Sequence, residues 1–243
     1  MPHATHPSAH PFRALVCAAL TSLALAGCVG PFKPKPVAGV SYSQAPGAAG
    51  DARMREIANA WGERFTKDKS DRKAALNYAA ALDRLGRDDT AVAVLEQAAM
   101  RHPKDRVVLA AYGKALNKVG RSTQALQVLG KANPAEAPDW KVLSAQGVSL
   151  DQMGQHAEAQ ALYEKALAVA PNEPRILSNY GLSLTLTEDL ERAEAMLRRA
   201  SQLTEDPRVW QNLALVLELQ GRSEEAARIT SRHAPAASAA TGG

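Results

Sequence analysis

Side chains able to do acid–base, nucleophilic or metal chemistry are few in this sequence, and their spacing does not assemble them. His102 stands beside Pro103, His156 comes two residues after Gly154, and His233 lies near the C-terminal end. None has Cys, Asp or Glu around it at metal-ligand spacing, so all three read as turn and surface residues. The acidic pairs Asp88-Asp89 and Glu224-Glu225 follow turns and begin helical stretches. Carboxylates there favour a helix N-terminus electrostatically, which accounts for them without catalysis. No glycine-rich phosphate loop, nucleophile elbow or zinc pattern occurs. The sequence therefore reads as non-enzymatic, with no catalytic, cofactor-binding or metal-binding residue and no small-molecule substrate. One group has a covalent fate written into its position, the thiol of Cys28, and it is a target of chemistry rather than its agent.

Cys28 closes the run Leu25-Ala26-Gly27-Cys28, after a stretch from Ala14 to Ala26 that is apolar apart from Thr21 and Ser22. Such a stretch rises only about 20 Å as a helix, too short to span a bilayer and suited to a signal-peptide core. The ending resembles the bacterial lipobox, which implies cleavage before Cys28 and acylation of its sulfur. Ordinary secretory cleavage after Ala26, with Cys28 incidental, is the alternative. Each buried methylene contributes roughly 0.8 kcal/mol, so two or three acyl chains hold a protein firmly. By resemblance to the sorting rules of enteric bacteria, Val29 in place of Asp points to the outer membrane, with the chain facing the periplasm. Cys17 lies in the removed segment, so no intramolecular disulfide can staple the mature fold.

The chain has 243 residues with 29 basic and 25 acidic side chains, and cleavage removes only Arg13 from that balance. The signs are mixed along the chain with no basic stripe in the linear order, so the balance does not predict nucleic-acid binding. Many Ala and Leu with few aromatics favour helix over sheet. Five regions follow: a signal peptide at 1–27, a Pro- and Gly-bearing tether at 28–50, a capping helix and loop at 51–71, a repeat domain at 72–233 and a small-residue tail at 234–243. Lys33 and Lys35 in the tether either touch anionic headgroups or simply solubilise it.

The elements come from a 34-residue rhythm. Glycines recur at 86, 120 and 154; alanines recur at 91, 125, 159 and 193, and again at 98, 132, 166 and 200. Tyr78, Tyr112 and Tyr180 share a column in which Gln146 is the exception, and Pro103 and Pro171 stand two periods apart. The glycines fall where the chain must turn between two apolar-periodic segments, and the alanines where paired helices approach closely. Period and signature resemble tetratricopeptide repeats, which implies an all-α solenoid of about five helix-turn-helix units with an N-terminal capping helix. The units run 72–105, 106–139, 140–173, 174–206 and 207–233. In the fourth, Glu188 takes the glycine position, and Gly221 arrives one residue early. Asp51 to Thr66 caps one end with Ile57, Trp61 and Phe65; Arg222 to Arg232 closes the other. Trp140, Trp210 and the tyrosines read as packing residues, Trp210 at a position where the repeat pattern often has tryptophan.

The tetratricopeptide resemblance also implies that first helices line a concave surface. That places Lys73 and Asn77, Lys114 and Asn117, Lys141, Arg175 and Asn179, and Arg208 and Asn212 on it as candidate partner-binding residues. Amides there can pair with a peptide backbone, and Lys or Arg with its carboxylates. The convex face, the loops, the end helices and the tether stay open as other binding surfaces, since exposed charges are also simply solvated. Asn77, Asn179 and Asn212 resemble one element of the carboxylate clamp of chaperone adaptors, but matching basic residues are not assembled in consecutive units, so no clamp is assigned.

The whole layout of lipobox, short tether and repeats resembles the TadD family, lipoproteins of Flp (tight adherence) pilus assembly. The words that carry the likeness are Ala145-Gln146-Gly147-Val148, Tyr163-Glu164-Lys165-Ala166-Leu167, Asn179-Tyr180-Gly181-Leu182-Ser183 and Trp210-Gln211-Asn212-Leu213-Ala214. The likeness covers about residues 14 to 230. It implies a scaffold without activity of its own that binds protein partners such as the pilus secretin or its assembly components. A periplasmic lipoprotein scaffold of the same shape for another pilus or secretion system, outer-membrane protein assembly or cell-wall enzyme recruitment is the alternative.

Overall fold

A computed structural model describes residues 48–134 and 136–233. The signal segment, Cys28, most of the tether and the C-terminal tail lie outside the described residues. Eleven helices follow one another there: α1 (Ala48–Lys67), α2 (Arg72–Arg84), α3 (Asp88–Arg101), α4 (Arg106–Lys118), α5 (Ser122–Ala132), α6 (Trp140–Gln152), α7 (His156–Val169), α8 (Pro174–Leu186), α9 (Leu190–Ser201), α10 (Pro207–Leu219) and α11 (Ser223–His233). No strand occurs among the described residues, and none of their helices is long and apolar enough to cross a membrane.

Local chemistry sets the helix starts and turns. Asp71, Asp105, Asp139 and Asp206 each precede a first helix and accept backbone N–H groups of its first turn, satisfying donors that the helix cannot. In the turns between paired helices, Gly86, Gly120, Gly154 and Gly221 take φ between 68° and 77°. Glu188 adopts φ 60° at the equivalent place in the fourth unit. α1 begins three residues before the expected Asp51, and its buried stripe is Ala58 and Phe65 with half-buried Trp61. Ile57 is 36% exposed, one position round the helix from Ala58, which takes the inner place.

Each first helix packs on its second helix along a seam of small residues. A Cβ added at Gly113 would lie 2.4 Å from Leu129, one at Gly147 2.6 Å from Tyr163, and one at Gly181 2.7 Å from Leu197. Ala91, Ala125, Ala159 and Ala193 are all buried opposite them. The seam leads into two main core clusters, one containing Phe65, Leu116 and Leu129 and the next Leu150, Leu184 and Leu217. Each fully buried Leu contributes roughly 1.5–3 kcal/mol of transfer free energy. At the far end α11 buries Ala226 and half-buries Ile229, leaving its charged face to solvent.

Curvature follows from which helices touch. Besides its chain neighbours, each first helix contacts the first helix of the next unit, whereas no two second helices meet among the described residues. The first helices therefore close up into the concave wall, and the second helices splay on the outside.

Candidate functional site

Two depressions open on the concave wall. One, of about 310 Å³, lies among α4, α6 and α8 and is lined by Lys114, Lys118, Trp140, Lys141, Ser144, Arg175 and Asn179, with Asn117 behind them. The other, of about 300 Å³, lies between α2 and α4 and shares Lys114 and Lys118 with the first. Its floor is alanine and leucine, and Asp83 and Asp88 stand at its edge.

The cations of the larger cleft differ in what holds them. Lys118 lies 2.7 Å from Asp83 and 2.8 Å from Asp88, the latter outside good hydrogen-bond alignment. Burial opposes its charge, but the two carboxylates outweigh that and raise its pKa above the usual lysine range. Arg175 pairs with Glu173 at 2.9 Å, and its guanidinium lies 4.9 Å from the Trp140 ring centroid. The Lys141 ammonium lies 5.5 Å from the same ring. Lys114 is accessible at its surface yet crowded within the curve of the wall. Desolvation there lowers its pKa; Asp139 opposes the fall, and nearby Lys141 and Arg175 deepen it.

The asparagines differ from the expectation that they face a ligand. Asn117 is 5% exposed, donates to the Ala145 carbonyl at 2.7 Å and accepts from Ser149 at 2.7 Å. Asn179 donates to Ser144 at 3.1 Å, and Asn212 to Ser178 at 3.0 Å. Each of these bonds joins one first helix to the next, so the amides fasten the wall. Asn77 donates to the Lys73 carbonyl of its own helix. Lys73 sits at the far end, 6.0 Å from the Trp61 ring, and Arg208 is engaged by Asp206. The structure thus gathers Lys114, Lys141, Arg175 and Asn179 around one cleft, with Asn117 in its floor, and leaves Lys73, Asn77, Arg208 and Asn212 outside it.

Trp140 is the lining residue that sequence reasoning placed in packing. It does pack against the core with one edge, and its half-buried ring also carries the cleft. The signal lay in its column, since Arg72, Arg106, Pro174 and Pro207 occupy the matching helix starts. Lys118 was missed for a similar reason, its column ending in Gln152, Leu186 and Leu219. The histidines serve structure: His102 reaches the Ser70 carbonyl at 2.9 Å, His156 meets Asp151 at 3.0 Å, and His233 stacks on Trp210 at 3.7 Å. Among the described residues no cluster of three His, Cys, Asp or Glu could hold a metal.

Tetratricopeptide-repeat family profiles match residues 72–115, 152–216 and 207–230. The chain is a tetratricopeptide-repeat solenoid. Its architecture is similar to that of a thermophilic tetratricopeptide protein of Thermus thermophilus, with TM-score 0.63 and 22% identity over 67% of this chain and 89% of that one. PilW, described as a widely conserved type IV pilus biogenesis factor, superposes with TM-score 0.64 and 18% identity over 74% of this chain and 84% of its own. A tetratricopeptide protein from Parabacteroides merdae gives 0.65 and 12% over 75% and 72%. No curated protein sequence matches the chain. At these identities the tetratricopeptide structures share the fold with this chain.

Proposed function

We propose that this protein is a non-enzymatic, membrane-anchored scaffold that holds protein partners on its concave wall and assists assembly or localisation of an Flp/Tad-type pilus secretion apparatus. The observation that carries the scaffold reading is the wall itself. Five first helices present an open surface on which Lys114 and Lys141 have no ion-pair partner among the described residues, beside the accessible ring of Trp140. Lipid on Cys28 supplies the anchor, and the outer membrane, periplasmic side, is its place. Anchoring raises the effective concentration of a client, so a modest groove affinity suffices. The pilus assignment rests on the resemblance to the TadD family, and a pilus biogenesis factor with the same fold supports it.

The test is mild crosslinking in the native bacterium, then capture of a C-terminally tagged copy and mass spectrometry. Recovery of the pilus secretin and its assembly proteins is expected, lost when Lys114, Lys141 and Arg175 are changed to Glu while helicity stays near wild type. Recovery of barrel-assembly or cell-wall proteins instead keeps the envelope scaffold and discards the pilus role. In the same cells Cys28→Ser should abolish lipid labelling and release the protein from membranes; unchanged labelling would sink the anchor.

A further inference from the structure

The two depressions of the wall have complementary chemistry and a shared border. In the hollow between α2 and α4, small side chains replace larger ones found at the same repeat positions elsewhere. Ala80 stands where the next unit carries Lys114 and later ones Val148, Leu182 and Leu215; Ala111, like Ala145 of the third unit, stands where the other units carry Asn77, Asn179 and Asn212. Alanine at these positions opens the space and leaves the charged groups, Asp83, Asp88, Lys114 and Lys118, at its edge, so apolar burial is what the floor of the hollow rewards. Its volume, about 300 Å³, is at the small end of ligand pockets and has room for a large apolar side chain.

The cleft beyond Lys114 is the reverse. Four cations line it, Lys114, Lys118, Lys141 and Arg175, and no carboxylate does. Only Lys118 and Arg175 have acidic neighbours at ion-pair distance among the described residues. Arg175 lies over Trp140 with its Nε taken by Glu173, and its terminal nitrogens can hold a further carboxylate in a geometry that lysine does not offer. Phosphate would also suit the cations, but an apolar hollow on the same border favours a polypeptide, which brings both side-chain types on one strand or helix face.

We propose that the wall reads a bipartite segment of a protein partner, with one bulky apolar side chain seated in the alanine-floored hollow and adjacent Asp or Glu side chains held in the cleft around Trp140. This rests on the wall being the binding face.

The test is to pan a phage-displayed random dodecamer library on the purified full chain in detergent. A terminally blocked, fluorescent copy of the most enriched peptide is then titrated by anisotropy. Enriched peptides should place two or more acidic residues beside Leu, Ile, Met or Phe. The double change Lys114→Glu and Lys141→Glu should weaken binding at least tenfold. Ala80→Leu, at an exposed position that leaves the seam alone, should also weaken it tenfold while the acidic preference persists; circular dichroism checks both folds. Enrichment without acidic bias, tighter binding of a short oligonucleotide, affinity within twofold of wild type in both variants, or no enrichment at all would each overturn the proposal. Peptides that lack acidic residues but are lost with Leu182→Glu leave the wall reading intact and sink only the bipartite motif. Peptides indifferent to every wall change sink both.

Discussion

On one side of α4, α6 and α8 stand Gly113, Gly147 and Gly181, each pressed against a large side chain of the partner helix. One residue further on, and turned toward the open wall, stand Lys114, Val148 and Leu182. The seam repeats its residue size with little freedom, because close packing leaves no gap for a methyl group. The wall varies from lysine to leucine at matching positions, because solvent accepts either. The same helices therefore carry two kinds of information: the seam specifies how units stack, and the wall specifies what they hold.

The largest effect is expected where the seam is violated. In an exposed helix interior, Gly→Ala stabilises by about 1 kcal/mol. At position 147 the new Cβ would stand 2.6 Å from Tyr163 Cε1 and 2.7 Å from Cζ. The ring cannot easily swing clear, since its hydroxyl donates to Asp151 at 2.9 Å, and Asp151 also accepts from Ser183 at 2.8 Å in the next unit. Gly147→Ala should therefore destabilise by about 1–3 kcal/mol, the usual cost of overpacking. Thermal denaturation reads this as a fall of about 2–4 °C per kcal/mol for a domain of this size. Val148→Ala, on the wall side, should change stability far less. Equal stability of the two variants would dissolve the distinction between seam and wall.

The seam was legible in the sequence because it is periodic. Glycine and alanine columns at a 34-residue step gave helix pairs, turns and the order of packing, and the same step would have revealed the acidic column Asp71, Asp105, Asp139, Glu173 and Asp206 that starts each first helix. Only Glu173 in that column makes no side-chain cap bond, and its carboxylate pairs with the Arg175 guanidinium instead. The wall was legible only in part. Its register placed Lys114, Lys141 and Arg175 together, but the fate of each amide depended on the distance to the next helix. Asn179 and Asn212 meet Ser144 and Ser178 across that gap, and Asn117 meets Ser149. Residues of two different units decide such bonds, and no single-unit pattern contains them. Gln146 is similar: its departure from the tyrosine column has a partner in Asn133, at 3.3 Å, from the longer connection between α5 and α6.

A smaller effect should separate the crowded lysine of the wall from an ordinary surface one. Desolvation holds the Lys114 pKa below the usual value of 10.5, aided by Lys141 and Arg175 against the pull of Asp139. A lowered pKa means that the ammonium gives up its proton sooner as pH rises. Affinity for an acidic segment should accordingly begin to fall at a lower alkaline pH in wild type than in Lys114→Arg, whose guanidinium stays charged. Anisotropy titrations across the alkaline range check this, and coincident curves would mean that Lys114 does not touch the segment.

The smallest effect is expected at a turn that breaks the glycine rule without breaking the turn. In four units a glycine precedes the second helix, and the backbone N–H after it bonds back to the first helix: Arg87 to Leu82, Arg121 to Leu116, Gln155 to Leu150 and Arg222 to Leu217, at 2.8–2.9 Å. In the fourth unit Asp189 makes the same bond to Leu184 at 3.0 Å, with Glu188 forced to φ 60°. Packing of α8 on α9 thus dictates the turn, and Glu188 bears the strain of a left-handed conformation, about 1–2 kcal/mol for a residue with a Cβ. Glycine would relieve that strain but lose about 0.5–1 kcal/mol to the greater freedom of the unfolded chain. Glu188→Gly should therefore stabilise by about 0.5–1 kcal/mol, seen as a raised urea midpoint with unchanged slope. A lowered midpoint would mean that the Glu188 side chain contributes something the turn geometry does not contain, and that the wall is not the only place where this chain departs from its repeat for a purpose.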